Sequence, residues 1–162
     1  DHAAAFAKVL VELHAGVPML SHAPSIGAIY KATSPSFDGI PLLAISQSGR
    51  SPDLIMAAQD AQRQRALVVA VVNDSESPLA AASDIVVPIH AGPERSVAAT
   101  KTLIATLFAL THLAAEWGQD EALLSALPEA PEILERASGT DWSDAAPIIA
   151  QAQDLLVVGR GY

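Results

Sequence analysis

Apolar residues in this chain follow two alternating patterns. Over residues 2–15, Phe6, Val9, Leu10 and Leu13 return at helical spacing, and Gly16 supplies a stop. Elsewhere the aliphatic residues run together. Ile40–Ile45 is a nearly unbroken apolar stretch of strand length, and Ala66–Val72 and Ile85–Ile89 are two more. Such solid runs mark strands covered on both faces. Val17–Ala23 and Leu155–Val158 are shorter strand candidates, which makes five. Helices are predicted between the strands. Pro52–Arg65 is one, and Ser77-Pro78-Leu79 reads as an N-cap plus first-position proline opening a short helix to Ala82. A long helix is expected from Ser96 or Val97 to Trp117, stopped by Gly118, with helical segments near 120–126, 129–138 and 143–152. Strands alternating with helices argue for parallel βαβ units.

Composition narrows the picture. At 162 residues the chain suits one domain of ordinary size, with residues 118–153 as a polar, proline-bearing helical linker or peripheral segment. Half the residues are apolar but only 4 % are aromatic, so Ala, Leu, Val and Ile must form a core of closely packed helices and sheet. With no cysteine, disulfides, thiol nucleophiles and cysteine-ligated metals are excluded, and a cytoplasmic setting is expected. The formal net charge of -9 and the lack of a basic stripe argue against nucleic acid as a partner. No apolar run approaches the roughly 20 residues that span a bilayer, so no membrane partner is expected either.

The negative charge does not exclude a small phosphorylated ligand, because amides and hydroxyls at a helix start can hold one phosphate. The stretch from Leu42 to Asp53 has that character. A buried strand ends and Ser46-Gln47-Ser48-Gly49-Arg50-Ser51 follows; Ser51 then caps a helix that begins with Pro52 and Asp53. Ligands of open α/β sheets bind outside the carboxyl ends of the strands, which is where this turn lies. Ser46, Ser48 and Ser51 can donate hydroxyl bonds, and Gly49 lets the backbone curl so that amides converge. Serines and a glycine in such a loop can equally do no more than turn and cap.

Ile45-Ser46-Gln47-Ser48-Gly49 resembles the phosphate-binding turn of the sugar isomerase (SIS) family. Val87-Pro88 and Ala91-Gly92-Pro93-Glu94-Arg95-Ser96-Val97-Ala98-Ala99-Thr100-Lys101 resemble its second motif, where a strand end leads into a long helix. The resemblance covers most of residues 1–117. It looks like the first lobe of a two-lobed enzyme related to the isomerase part of glutamine–fructose-6-phosphate aminotransferases, and is similar also to glucosamine-6-phosphate deaminases. It implies a three-layer, flavodoxin-like, five-stranded parallel sheet with helices on both faces. It also implies a sugar phosphate ligand held by Ser46, Gln47, Ser48, Gly49 and Ser51, backbone contacts from Val97 and Ala98, and no cofactor. Ala99 departs from the aminotransferases' usual serine, and Arg50-Ser51-Pro52 from their Gly-Glu-Thr; both point toward the deaminase or isomerase branch.

In the family, a first strand and a Gly-x-Gly-Ser/Thr-Ser loop would precede Asp1-His2. Residues 154–162 share that strand-plus-loop character, so they are expected either to complete the sheet, in their own chain or by strand exchange in a homodimer, or to start a second lobe. On that reading His2, Gly159, Arg160 and Gly161 approach the sugar.

Other residues carry two readings each. His90 ends a strand beside the second motif and lines either the site or the surface. Glu94 serves the helix N-terminus or acts as the carboxylate that moves a proton between sugar carbons. Lys101 neutralises Glu94 or reaches for phosphate. No metal is expected, since the five histidines lack ligand spacing, and a Ser–His–Asp hydrolase is disfavoured because no Gly-x-Ser-x-Gly elbow occurs. The expected function is phosphosugar binding in an aldose–ketose isomerase or deaminase acting on an amino-sugar 6-phosphate. The alternative is a ligand-sensing SIS module of a regulator. The resembled enzymes keep their principal acid–base residues in the second lobe and tail, so this chain alone is expected to turn over little.

Overall fold

The computed structural model describes residues 2–31, 36–95 and 97–159. Helix α1 (His2–Leu10) widens into a π turn over Val11–Ala15 and ends where Gly16 turns left-handed at φ 66°. A short helix α2 (Ser25–Ala28) follows. The centre of the molecule is then built in strict alternation: β1 (Leu42–Ser46), α3 (Pro52–Arg63), β2 (Val68–Val72), α4 (Pro78–Ala81), β3 (Ile85–Pro88) and α5 (Lys101–Gly118). The strands form a parallel sheet in the order β1-β2-β3, with Leu42 opposite Val68 and Val69 opposite Ile85.

Both faces of the sheet are covered, as the solid aliphatic runs require. Leu42 and Ala44, Val68, Ala70 and Val72, and Val86 point to the side of α3 and α4, where Ala58, Ala61 and Leu79 are buried against them. Leu43, Ile45, Val71 and Val87 point the other way, onto Ala3 and Ala7 of α1 and Leu110 of α5. Small alanines at the contacts let the helices sit close to the strands, which is how a core nearly free of aromatic residues still fills its volume.

Two of the five expected strands do not form among the described residues. Residues 17–20 retain strand-like burial, with Val17 and Met19 packed onto α1 and α5 while Pro18 and Leu20 face outward. They lie beside no partner, and a strand without a neighbour has no ladder to join. Residues 155–158 likewise do not complete the sheet of their own chain. They carry no regular secondary structure, and Leu155 to Val158 are between 66 % and 87 % exposed. The outer edge of β1 therefore has no strand partner among the described residues.

Beyond α5 come α6 (Glu121–Ala126), a 3-10 turn, α7 (Ala130–Ser138) and α8 (Ala145–Gln151). Asp120 caps α6 through the Leu123 amide and meets His14 Nδ1 at 2.8 Å, tying this segment to the end of the π turn. The Leu123 amide first, and the His14 ring second, hold the Asp120 carboxyl below its ordinary value. No described helix is long and apolar enough to cross a membrane.

Candidate functional site

The carboxyl end of β1 delivers Ser46 into a tight turn that opens directly onto α3. Ser46 Oγ accepts from the Gly49 amide at 3.0 Å, and Ser48 Oγ accepts from the Arg50 amide at 3.3 Å. Two of the three serines thus shape the turn while keeping their hydroxyl protons to donate outward. Ser51 occupies the N-cap position of α3 with extended backbone, yet its side chain makes no capping bond. Among the described residues the Ser48 and Ser51 amides have no protein acceptor either. Hydroxyls and amides therefore collect at the positive end of a 12-residue helix, the arrangement that favours an anion. Gln47, which follows Ser46, is exposed.

Gly49 is required twice over. Its φ of 62° is left-handed, and it sits against the fully buried Ser77, the N-cap of α4. A Cβ here would lie 2.5 Å from Ser77 Cβ and closer still to its hydroxyl. The Gly49 carbonyl accepts from the Leu79 amide at 3.0 Å, so the turn is bolted to α4 from below. Across the top, Arg50 Nη2 meets Asp74 Oδ2 at 2.9 Å. That pair is exposed and contributes at most about 1 kcal/mol.

The second motif is arranged by two residues. Asn73, just past β2, donates from Nδ2 to the Gly92 carbonyl at 2.8 Å and accepts at Oδ1 from the Ala91 amide at 2.9 Å. Glu94 Oε2 accepts from the Thr100 amide, the Thr102 amide and the Thr102 hydroxyl, at 2.9–3.1 Å. This carboxylate receives the first amides of α5 and neutralises part of its positive end. It also explains why α5 starts at Lys101 and not at Ser96 or Val97 as the sequence suggested. The chain spends residues 97–100 in a bend that Glu94 closes over a separation of eight residues. Val97 stands fully in the open on this bend, and Ala98 is exposed beside it.

The remaining sequence candidates disperse. His90 is exposed, left-handed at φ 51°, and shares a cavity of about 750 Å³ with Lys101, Ile104, Phe108 and His112. That cavity lies between β3, α5 and α7, is largely apolar in its lining, and includes none of the phosphate-turn serines. His2 lies exposed at the start of α1, and Gly159 is exposed in the tail. Arg160 and Gly161 lie outside the described residues. Sequence reasoning passed over Asn73 as a site residue and took Ser77 only as a helix cap. The signal was present in Asn73, whose amide can bond backbone on both sides at the carboxyl end of a buried strand.

A parallel sheet with helices on both faces, whose first strand ends in a serine-rich turn that starts a helix, defines an open α/β domain. The chain belongs to the SIS domain family, which residues 1–116 match. It is 35 % identical over 172 residues to the isomerizing glutamine–fructose-6-phosphate aminotransferase of Zymomonas mobilis, covering 99 % of this chain and 28 % of that protein. Among solved structures, a protein assigned as a phosphosugar isomerase from Silicibacter pomeroyi superposes with a TM-score of 0.85 at 42 % identity, over 93 % of this chain and 46 % of that one. The C-terminal domain of the glucosamine-fructose-6-phosphate aminotransferase from Francisella tularensis gives 0.66 at 27 % identity, over 81 % and 38 %. The chain thus spans about a quarter of the length of these curated relatives and under half of these two solved chains.

Proposed function

We propose that this chain is the phosphosugar-binding lobe of an aldose–ketose isomerase or deaminase acting on an amino-sugar 6-phosphate. The phosphate is taken by the hydroxyls of Ser46, Ser48 and Ser51 with the amides at the start of α3. The sugar lies toward the backbone of Val97 and Ala98. The carrying observation is Ser51: an N-cap serine whose hydroxyl leaves its own helix uncapped. Phosphate anchoring supplies binding energy and orientation, and a proton shuttled between two sugar carbons completes the chemistry. Glu94 is assigned as the cap that holds the sugar-facing bend, because its carboxylate already serves the start of α5. Residues 154–159 are assigned to the start of a second lobe, an assignment supported by the near-complete coverage of this chain by the aminotransferase alignment.

The test is a melting titration of the 162-residue chain with fructose 6-phosphate, glucosamine 6-phosphate and inorganic phosphate. Ligand at 100 times its Kd stabilises by about 2.7 kcal/mol, which raises the Tm by roughly 5–10 °C. The Ser48→Ala/Ser51→Ala double variant should keep the unliganded Tm within about 2 °C and show no shift, because it gives up only the 3.3 Å bond from the Arg50 amide and a hydroxyl that caps nothing. An unshifted melt of the parent chain rejects the reading.

Glu94 gives a separate check on its assigned role. Glu94→Gln retains an acceptor oxygen and should cost a few tenths of a kcal/mol, while Glu94→Ala should cost about 1 kcal/mol, the worth of a cap. Sugar-phosphate affinity should follow the same order. Equal binding by the parent and Glu94→Ala would detach the bend from the site.

A further inference from the structure

Asn73 is hydrogen-bonded to both segments of the proposed site. Its amide N–H bonds the Gln47 carbonyl at 3.3 Å, inside the phosphate turn. Its side chain bonds the Ala91 amide and the Gly92 carbonyl, at the head of the second motif. The backbone on either side of Ala91 is unusual. His90 is left-handed at φ 51° and Gly92 at φ 68°. A non-glycine residue in that region is uncommon and persists only where the surroundings over-determine it. Two bonds from one planar amide, one donated and one accepted, supply that constraint. Beyond Gly92 the chain runs through Glu94, the cap of α5, into the bend carrying Val97 and Ala98.

We infer that Asn73 is a positioning residue for substrate: it sets the spacing between the phosphate turn and the sugar-facing bend. The phosphate end needs only the turn and α3. The sugar end needs the bend at a fixed distance from that phosphate, and the described structure joins the two segments here. The inference rests on the proposed phosphosugar site. It deepens that reading by saying which residue lets a phosphate anchor work as a sugar anchor.

The two side-chain bonds have different donors and acceptors, so variants separate them. Asn73→Ala removes both. Asn73→Asp keeps the acceptor for Ala91 and replaces the donor to Gly92 with a repelling oxygen. In Asn73→Ala, amide hydrogen exchange of Ala91 should accelerate about tenfold or more, while the β1 and β2 core amides stay protected. Affinity for fructose 6-phosphate should fall about tenfold, the scale of one or two lost bonds, with inorganic phosphate held within about twofold. Asn73→Asp should lie between Asn73→Ala and the parent in both readouts.

Three results would overturn the inference, and they are distinguishable. Unchanged exchange at Ala91 in Asn73→Ala removes the clasp, whatever the ligands do. Equal loss of inorganic phosphate and fructose 6-phosphate makes Asn73 a general support of the fold. A parent chain that binds inorganic phosphate but not fructose 6-phosphate, or neither, refutes the site reading by itself and leaves no sugar end for Asn73 to place.

Discussion

Gly49→Ala should lower the melting temperature by on the order of 10 °C and reduce phosphate and phosphosugar affinity more than tenfold, which thermal melting with and without ligand would check. Two independent costs meet at this residue. A left-handed φ of 62° penalises any Cβ by about 1–2 kcal/mol, and the new methyl would press on Ser77 Cβ. Overpacking of that kind costs about 1–3 kcal/mol. The Ser77 hydroxyl could rotate aside, but its Cβ is fixed to a buried backbone, so the turn itself must move. Movement breaks the bond between the Leu79 amide and the Gly49 carbonyl and misaims the serines. The double variant Gly49→Ala/Ser77→Gly separates the two costs. Glycine caps a helix almost as well as serine, losing only a few tenths of a kcal/mol. The steric part should therefore return and the conformational part remain. No recovery in the double variant would show that packing against Ser77 is not the reason for glycine here.

Gly118→Ala is the second large effect, and its sign is the point. Gly118 lies within α5, where alanine is ordinarily preferred by about 1 kcal/mol. The substitution should nevertheless destabilise by about 1–3 kcal/mol and lower the Tm by several degrees. A Cβ at this position would fall 2.5 Å from the His14 carbonyl carbon and nearer to its oxygen. Both are backbone atoms of the π turn that follows α1, and no rotamer change can clear them. A rise in Tm would show that α1 and α5 can part without loss. Ligand affinity should be unaffected, since this contact lies at the far end of α5 from Lys101.

Gly118 also shows where reading the chain in one dimension falls short. From the sequence it is a helix stop. In the structure it is still helical, Gln119 takes the left-handed cap at φ 51°, and the glycine is there to let two backbones approach. A cap and a close approach leave the same residue in the sequence. The start of α5 was missed for a related reason. Val97 to Thr100 look helical by themselves, but Glu94 supplies the cap from outside the helix, and its target amides are set by how the loop folds back.

The β1 turn was legible because all its parts are neighbours: strand, hydroxyls, glycine, N-cap and first-position proline within twelve residues. The same holds for α4, where Ser77 Oγ accepts from the Ala80 amide as the Ser-Pro pair predicts. The strands at 17–23 and 155–158 failed because strand propensity is permission, not pairing. Val17 and Met19 still pack on one side, and Leu155 to Val158 stand exposed, but neither segment joins the described sheet, where its hydrogen bonds would be completed.

What the chain's own order of residues determined is local: the three buried strands, the helices between them, and a serine-rich turn that leads from a strand end into a helix. These follow from periodicity, capping and backbone freedom, which act over a few residues. Tertiary structure alone decided which strands find partners, why Gly49 and Gly118 cannot carry a side chain, that Glu94 caps a helix, and that Asn73 joins the two site segments. Each of those depends on groups brought together across a fold, by hydrogen bonds and excluded volume that no local pattern encodes.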